Sequence, residues 1–219
     1  MFADKYNLTK EESMFLAKKG FIENIFYSSK LEGCNITFPD TQTIIEGKSV
    51  EGYDMHDIGI IVNLKHAWEY VLKNIDEPFD LKFAKGIHNF IGYNEALTWG
   101  EFRKGEVGIS GVVYKPPIPD EIEVKKEATE LLSIPNVTER AIKYMLWAMR
   151  RQLFWDGNKR TSILSANKIL ISEGKGILTI KEEYLPEFNR KLSAFYETND
   201  YSKVDSFIYE NCIYGIDYK

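Results

Sequence analysis

Apolar side chains recur along most of this chain at intervals of three and four residues, the spacing of a helix buried on one face. The first such run begins at Thr9-Lys10-Glu11-Glu12, where the threonine and the second glutamate have the spacing of a capping box. From this box a helix is predicted to continue to Glu32-Gly33. The N-terminal part of the chain is therefore predicted to be helical over residues 9–33.

Further helices are predicted wherever the same pattern returns between turn-forming residues. They are a short helix from Pro39-Asp40 to Gly47, helices over residues 58–72, 79–91 and 120–132, a helix capped by Thr138, and helices over residues 159–172, 186–196 and 201–214. Gly174 is predicted to close the helix 159–172. The C-terminal helix thus occupies about residues 200–214.

Residues 107–114 have a different pattern. Their sequence, VGISGVVY, is rich in β-branched side chains, is interrupted by glycine, and lies between Gly105 and Pro116. Such a segment predicts a short hairpin or an extended flap. Because no repeat or linker divides the chain, residues 1–219 are expected to form a single domain. Its predicted fold class is mainly α, a helical bundle with a small β-hairpin flap.

The composition is that of an ordinary globular protein and excludes several classes. The chain has 219 residues, of which 44% are hydrophobic and 28% charged, with a formal net charge of −5. These values exclude a wholly disordered chain. No apolar run approaches the roughly 20 residues that a transmembrane helix needs. The N-terminus also lacks the apolar stretch of a signal peptide, so we expect a cytoplasmic protein without membrane partners.

Charge and cysteine content limit the partners and metals to be expected. Lysine and arginine are spread along an acidic chain, which disfavours nucleic-acid binding through phosphate contacts. Cys34 and Cys212 are expected to be reduced and buried, with a disulfide as the less favoured alternative. His56, His66 and His88 form no zinc pattern with them and are expected to be surface or core residues of helices.

Residues 152–161, with the sequence QLFWDGNKRT, are the segment whose residue types most clearly suggest a functional site. They separate two helical patterns, so a turn at Gly157-Asn158 would place unpaired backbone N–H groups at the start of the second helix. Such N–H groups, together with the positive end of the helix dipole, bind anions. Lys159 and Arg160 add a point charge and a planar donor for phosphate.

Asp156 precedes this turn and offers oxygen ligands where a phosphate-bound Mg²⁺ would lie. Together, the acid, the turn and the bases predict a site for a magnesium-bound nucleotide. The alternative is an ordinary Asp-Gly-Asn loop between helices with solvated basic side chains. The residues by themselves leave both interpretations open.

The same segment resembles the active-site motif of Fic-domain proteins, HxFx[D/E]GNxR. Phe154, Asp156, Gly157, Asn158 and Arg160 match this motif in register. The resemblance implies a Fic-type helical bundle that transfers AMP from Mg-ATP to a Ser, Thr or Tyr hydroxyl of a protein.

Two further elements occur in the order found in this family. Arg103, followed by VGISG at 107–111 and PPIP at 116–119, is similar to the flap and the proline-marked turn upstream of the motif. The sequence SSKLEG at 28–33 is similar to the inhibitory-helix motif [S/T]xxxE[G/N] of Fic proteins that carry their own inhibitory helix. The matching residues of that motif are Ser28, Glu32 and Gly33.

The resemblance also implies roles for individual residues. Asp156 would hold Mg²⁺, Gly157 and Asn158 would form the anion hole, and Arg160 would bind phosphate. The flap would pin an unknown target protein by strand-like pairing. Its residues are Ile109, Ser110, Gly111, Val112 and Val113. ATP and Mg²⁺ are the expected ligands, and homodimer formation is left open by the sequence.

Gln152 departs from the motif because it stands where the family has its catalytic histidine. A neutral amide does not accept a proton, and general-base catalysis typically contributes about 10²–10⁴-fold in rate. AMP transfer is therefore expected to be weak or absent. Three interpretations remain: a natural nucleotide-binding or partner-binding module or weak enzyme, an engineered substitution, and a subfamily with altered chemistry.

Two other departures concern regulation and reaction type. Ile163 stands where the family has a second arginine, the usual partner of the inhibitory glutamate. One hypothesis is that Glu32 reaches Arg160 instead and competes with phosphate, and the alternative is that residues 28–33 are only a glycine-capped helix end.

Lys159 resembles the Asn-Lys-Arg version found in Doc toxins, which transfer phosphate, although those typically have alanine at the position of Gly157. Transfer of phosphate rather than AMP is therefore also open.

Overall fold

Two helices, α7 (Val137–Arg151) and α8 (Asn158–Ser172), form the buried centre of the structure. The structure, a computed structural model, describes residues 2–218. The remaining helices are α1 (Lys10–Lys19), α2 (Phe21–Lys30), α3 (Phe38–Ile45), α4 (Met55–Lys73), α5 (Leu81–Ile91), α6 (Glu121–Leu132), α9 (Leu185–Thr198) and α10 (Ser202–Asn211). No helix of the described residues is long and apolar enough to cross a membrane.

A two-stranded antiparallel sheet completes the regular structure. Strand β1 (Ile177–Leu178) follows α8 and pairs with β2 (Ile213–Tyr214), which follows α10. In this register Ile177 lies opposite Tyr214. The predicted mainly α-helical fold is thus confirmed, with the sheet joining α8 to the C-terminal part of the chain.

The apolar core consists of two clusters that meet at α8. One cluster lies around α7 and includes Ile163 of α8, together with residues of α6, α9 and α10. The other lies around α4 and α5 and includes Leu164 of α8. Since consecutive residues of α8 face different clusters, this helix is buried on all sides. Its N-terminus, where the candidate site lies, is therefore held from several directions.

The N-terminal segment consists of two helices, so the single helix predicted over residues 9–33 is wrong. The predicted capping box of Thr9 and Glu12 is present and starts α1. Gly20 separates α1 from α2, and its ψ of 15° departs from helical geometry although its N–H still donates to Leu16. Gly33, with φ of 81°, then ends the turn that follows α2.

Two other predicted helix ends differ from the structure. Asn136 caps α7 by accepting from the Glu139 N–H, whereas Thr138, predicted as the cap, is buried as the second residue of the helix. The C-terminal helix ends at Asn211 because the chain then extends to pair with β1, so a helix reaching residue 214 is wrong. A local hydrogen bond thus decides the first boundary, and a tertiary contact decides the second.

Candidate active site

The loop between α7 and α8 turns sharply through two left-handed residues. Gln152, at the end of α7, has φ of 47°, and Gly157, before α8, has φ of 69°. A Cβ atom on Gly157 would lie 2.5 Å from Cγ2 of Ile91 at the end of α5. Glycine is therefore required here both by the backbone conformation and by the packing of α5 against the loop.

The Asn158 side chain closes this loop. Its Oδ1 accepts from the Phe154 N–H at 2.9 Å, while its Nδ2 donates to the Phe154 carbonyl at 2.8 Å and to Gln152 Oε1 at 3.1 Å. With its side chain engaged in this way, Asn158 can face an anion only through its backbone N–H. Its side chain shapes the loop.

His88 of α5 supports this loop through contacts with Phe154 and Asp156. Its ring, on α5, is fully buried and stacks on Phe154 with centroids 3.8 Å apart. Nδ1 accepts from the Gly100 N–H at 3.0 Å, so Nε2 carries the proton and donates to the Asp156 carbonyl at 2.9 Å. Burial lowers the pKa of the imidazole from 6.5 to about 4, since the charged form would be desolvated.

The first turn of α8 offers an anion site. Among the described residues, no protein acceptor is found for the backbone N–H groups of Asn158, Lys159 and Arg160, and the first intrahelical donor is the N–H of Thr161, which bonds to the Gly157 carbonyl. The Gly157 N–H donates to Asp156 Oδ1 at 2.5 Å. Unpaired N–H groups at the positive end of a buried helix suit phosphate oxygens.

Asp156 can act as a ligand for Mg²⁺. Its side chain is 57% exposed, and only Oδ1 is engaged in the loop, so Oδ2 is accessible from solvent. Within residues 2–218 no cluster of three or more acidic, His or Cys residues forms a complete metal site. This arrangement fits an ion held by one carboxylate and by substrate phosphates, as is common for Mg²⁺.

Three carboxylates surround the guanidinium group of Arg160. Its side chain is 2% exposed, with Nε 3.4 Å from Glu32 Oε1, Nη1 2.8 Å from Glu95 Oε2, and Nη2 3.9 Å from Asp156 Oδ1. The hypothesis that Glu32 reaches Arg160 agrees with this geometry. Because Ile163 is 2% exposed in the apolar core, Glu32 has no cationic partner at that position.

Lys159 faces away from the anion site. Its Nζ donates to the Leu31 carbonyl at 2.9 Å and lies 3.7 Å from Glu32 Oε2. The end of α2 thus holds the ammonium group in this structure, and the contribution of Lys159 to phosphate binding stays a prediction. Both basic residues of the motif instead face the segment 28–33.

Gln152 is held within the loop. Its Nε2 donates to the Met149 carbonyl at 2.6 Å, and its Oε1 accepts from Asn158 Nδ2. The side chain thus donates to α7 and accepts from Asn158, the first residue of α8. The loop between the two helices, residues 152–157, is called the motif loop below. It lies beside Asn158 but carries no group that takes up a proton at ordinary pH.

Comparison with known proteins identifies the family of this segment. The model of the Fic/DOC family matches residues 78–170, the stretch from just before α5 into α8. The chain contains a Fic domain. The matched residues include the flap and the whole motif loop, whereas residues 28–33 precede them.

Curated relatives of this Fic domain carry the name protein adenylyltransferase Fic. That of Aedes aegypti is 28% identical over 178 residues, which are 76% of this chain and 35% of the relative. That of Drosophila melanogaster is 26% identical over 167 residues, 72% of this chain and 34% of the relative. The chain thus spans about a third of the length of the curated relatives it matches.

Solved structures of Fic proteins have the same fold. A Fic domain containing signaling protein from Bacteroides thetaiotaomicron superposes with a TM-score of 0.75 at 18% identity, covering 93% of this chain and 86% of that one. Fic-1 (residues 134–508) from C. elegans superposes with a TM-score of 0.74 at 16% identity, covering 93% and 62%. At such identities the likeness shows the fold.

The flap of the Fic domain is anchored by Arg103, which is 1% exposed and has no carboxylate partner among the described residues. Its guanidinium instead donates to backbone carbonyls on both sides of the flap and at the end of α7. These belong to Gly105, Pro116, Pro117, Arg151 and Gln152. One side chain therefore ties the base of the flap to Gln152 at the end of α7.

The flap itself is an extended loop with one turn, so of the two predicted forms residues 107–114 adopt the extended flap and not the β-hairpin. The Val112 N–H donates to the Ile109 carbonyl across Gly111, whose φ is 73°. The N–H groups of Val113 and Tyr114 donate to the carboxylate of Glu197, at 2.5 and 3.1 Å. Because α9 supplies this acceptor, the second arm of the flap pairs with a side chain rather than with the first arm.

Three residues that hold the motif loop, Arg160 or the flap give little signal in the sequence, namely His88, Glu95 and Glu197. His88 was expected only as a surface or core residue, and Glu95, Arg103 and Glu197 meet their partners across long stretches of chain.

Outside the site, both cysteines are free and buried, which confirms the expected reduced pair. Burial raises the pKa of each thiol to about 12, so neither is a reactive nucleophile.

Proposed function

We propose that this chain is a nucleotide-binding Fic module of the protein adenylyltransferase type. Its reaction is transfer of AMP from Mg-ATP to a protein Ser, Thr or Tyr hydroxyl, and Gln152 makes that reaction weak or absent. The observation that carries the proposal is the set of three unpaired N–H groups at the N-terminus of α8, with Arg160 and Asp156 beside them.

In this proposal the phosphates of ATP bind at the N-terminus of α8. The N–H groups of Asn158, Lys159 and Arg160 donate to phosphate oxygens, and Arg160 adds the planar, always charged donor that phosphate prefers. Donors fixed before the substrate arrives cost little reorganisation, which suits stabilisation of charge that develops during transfer. Asp156 would hold Mg²⁺, which when bound would supply charge neutralisation for the transferred group.

Gln152 determines how far the reaction proceeds. In AMP transfer the target hydroxyl must lose its proton as its oxygen attacks the α-phosphorus and pyrophosphate leaves. The amide of Gln152 is bonded to Met149 and Asn158 and offers no base for that proton. His88 does not replace it, because its Nε2 donates to the Asp156 carbonyl and its Nδ1 accepts from Gly100.

Glu32 restrains the nucleotide site. Its carboxylate lies 3.4 Å from Arg160 and 3.7 Å from Lys159, so it occupies donors of Arg160 that would otherwise face phosphate. A phosphate and this carboxylate carry the same charge and compete for the same donors. Residues 28–33 therefore act as an inhibitory segment through Arg160, in the absence of the second arginine.

The experiment that tests this proposal is label transfer from ATP tagged at the α- or the γ-phosphate. The chain, Gln152→His, Glu32→Gly and the double variant are incubated with Mg²⁺ and a cell lysate, and label on any protein is counted. Calorimetry with Mg-ATP measures binding by the same proteins. Each variant is repeated with Asp156→Asn as the matched control that removes the proposed metal ligand.

The expected result is α-label on protein with Gln152→His, more label when Glu32→Gly is added, and little with Asp156→Asn. Binding of Mg-ATP without transfer by any variant would support a non-catalytic nucleotide-binding module, an alternative favoured by the engagement of Gln152 within the loop. Transfer of the γ-label would show a phosphotransferase. Absence of both binding and transfer in all variants would contradict the proposal.

A further inference from the structure

Glu95 is the carboxylate closest to Arg160. Its Oε2 lies 2.8 Å from Nη1, whereas the nearest oxygen of Glu32 lies 3.4 Å from Nε. The two side chains of the Glu95–Arg160 pair are 5% and 2% exposed, so the pair is shielded from water. Glu95 is outside the active-site motif and outside the inhibitory segment.

Rigid parts of the fold hold Glu95 in place. Asn63 of α4 is buried, and its Nδ2 donates to Glu95 Oε1 at 2.7 Å and to the Tyr93 carbonyl at 2.8 Å. The Glu95 N–H donates to the Gly92 carbonyl at 3.1 Å, within the turn that follows α5. Its carboxylate therefore has a fixed partner on either side, Asn63 through one oxygen and Arg160 through the other.

Glu32 is held less firmly. It lies in the turn after α2, its side chain is 17% exposed, and its contacts with Arg160 and Lys159 are 3.4 and 3.7 Å. If Glu32 moves, only the short turn that ends at Gly33 has to change its conformation. If Glu95 moves, its carboxylate loses the hydrogen bond from the buried side-chain amide of Asn63 on α4. The two carboxylates around one guanidinium thus differ in how easily each can leave.

From this difference we infer that Glu95 is a positioning residue that holds Arg160 for phosphate, while Glu32 is the partner that phosphate displaces. A guanidinium has five donors in a fixed plane, so it can serve two acceptors at once. With Nη1 held by Glu95, Nε and Nη2 stay turned toward Glu32 and Asp156, where the proposed phosphate lies. This inference rests on the proposed nucleotide site.

The inference requires that the two carboxylates have opposite effects on nucleotide affinity. Removing the charge of Glu32 frees donors of Arg160, so ATP should bind more tightly. Removing the charge of Glu95 leaves Arg160 without its close buried partner, so its guanidinium can turn toward Glu32 and ATP should bind more weakly. If both carboxylates merely competed with phosphate, both changes would strengthen binding.

Calorimetric titration with Mg-ATP tests this using the full chain and the variants Glu32→Gln, Glu95→Gln and Glu32→Gln/Glu95→Gln. Against the chain as it stands, Glu32→Gln should bind more tightly. The double variant should bind on the order of tenfold more weakly than Glu32→Gln, because the shielded ion pair that holds the guanidinium has lost its negative charge. Equal or tighter binding by the double variant would overturn the inference. Glu95→Asp, which keeps the charge, should recover part of the affinity.

A second measurement needs no nucleotide. The ¹⁵N-detected NMR signal of the Arg160 Nε–H group reports whether the guanidinium is fixed, and thermal unfolding shows that each variant is folded. The signal should remain sharp in Glu32→Gln, broaden in Glu95→Gln and sharpen again in Glu95→Asp. If no variant binds ATP, the proposed function fails, and a signal that stays sharp in Glu95→Gln would separately overturn the positioning role.

Discussion

His88 Nε2 donates to the backbone carbonyl of Asp156 over 2.9 Å, although 68 residues separate the two along the chain. The bond joins α5 to the loop that carries the proposed metal ligand. Protonation of the ring would keep this bond but would remove the acceptor of the Gly100 N–H, since Nδ1 accepts only in the neutral imidazole. The conformation of the motif loop is therefore coupled to the protonation state of a buried histidine.

This coupling predicts an acid-sensitive fold. Because burial lowers the pKa of His88 from 6.5 in the unfolded chain to about 4, the unfolded state binds the proton more readily between these values. Stability contributed by neutral His88 is complete above pH 6.5 and is lost as pH falls toward 4. The loss should be about 3 kcal/mol, from roughly 1.4 kcal/mol for each pH unit.

Denaturant unfolding at pH 7, 5.5 and 4, with EDTA present, measures this loss. His88→Gln should be less stable at pH 7 but should lose less stability on acidification than the unchanged chain. His56→Gln is the control, because His56 is exposed at the start of α4. An unaltered pH dependence in His88→Gln would contradict the prediction.

Replacement of Gly157 by alanine should distort the motif loop. The added Cβ would meet Ile91 Cγ2 at 2.5 Å and would adopt φ of 69°, a conformation that costs of order 1–3 kcal/mol by itself. Gly111→Ala is the matched control, since its φ is 73° but no heavy atom lies within 4 Å of the built Cβ.

Unfolding free energies of both variants distinguish packing from backbone strain. Gly157→Ala should lose more stability than Gly111→Ala, and only Gly157→Ala should weaken binding of Mg-ATP. Equal losses in the two variants would mean that Ile91 moves aside at little cost.

Arg103→Met should release the flap. The buried carbonyls at the flap base would lose their donor, and each buried acceptor left unpaired costs about 1–3 kcal/mol. Arg103→Lys should restore only part of the stability, because a single ammonium group cannot span carbonyls on both sides. Limited proteolysis should cut within residues 104–116 faster in Arg103→Met, whereas Lys104→Met, an exposed neighbour, should leave the rate unchanged.

Glu197→Gln should loosen the second arm of the flap. The change replaces a charged acceptor of the Val113 and Tyr114 N–H groups by a neutral one, and hydrogen bonds to charged groups are roughly twice as strong. Hydrogen exchange at these two positions should accelerate, while exchange in the core of α9 should not change. Glu187→Gln on the same helix is the control, and equal acceleration in both variants would contradict a specific role for Glu197.

Much of the local structure could be predicted from the sequence because it depends on neighbouring residues. The capping box at Thr9 forms as predicted, since its hydrogen bonds join residues three apart. The turn at Gly157 and the free N–H groups of α8 likewise follow from adjacent residues. The positions of this turn and of the start of α8 could therefore be predicted before the fold was known.

The errors occur where distant segments decide the local structure. The C-terminal helix ends where β2 pairs with β1. Residues 107–114 form an extended flap rather than a hairpin, and Glu197 of α9 takes the N–H groups of Val113 and Tyr114. Local propensity is a weak guide when a tertiary partner offers a better bond.

The sequence by itself determined the helical fold class, the family resemblance and the residues of the motif loop. Only the tertiary structure placed His88 beneath Asp156, Lys159 against Glu32, and Glu95 against Arg160. These pairs join residues on different helices and turns, whose relative positions depend on how the two core clusters pack around α8. Spacing along a chain fixes which side chains share a helix face, but the packing of whole elements decides which charges meet.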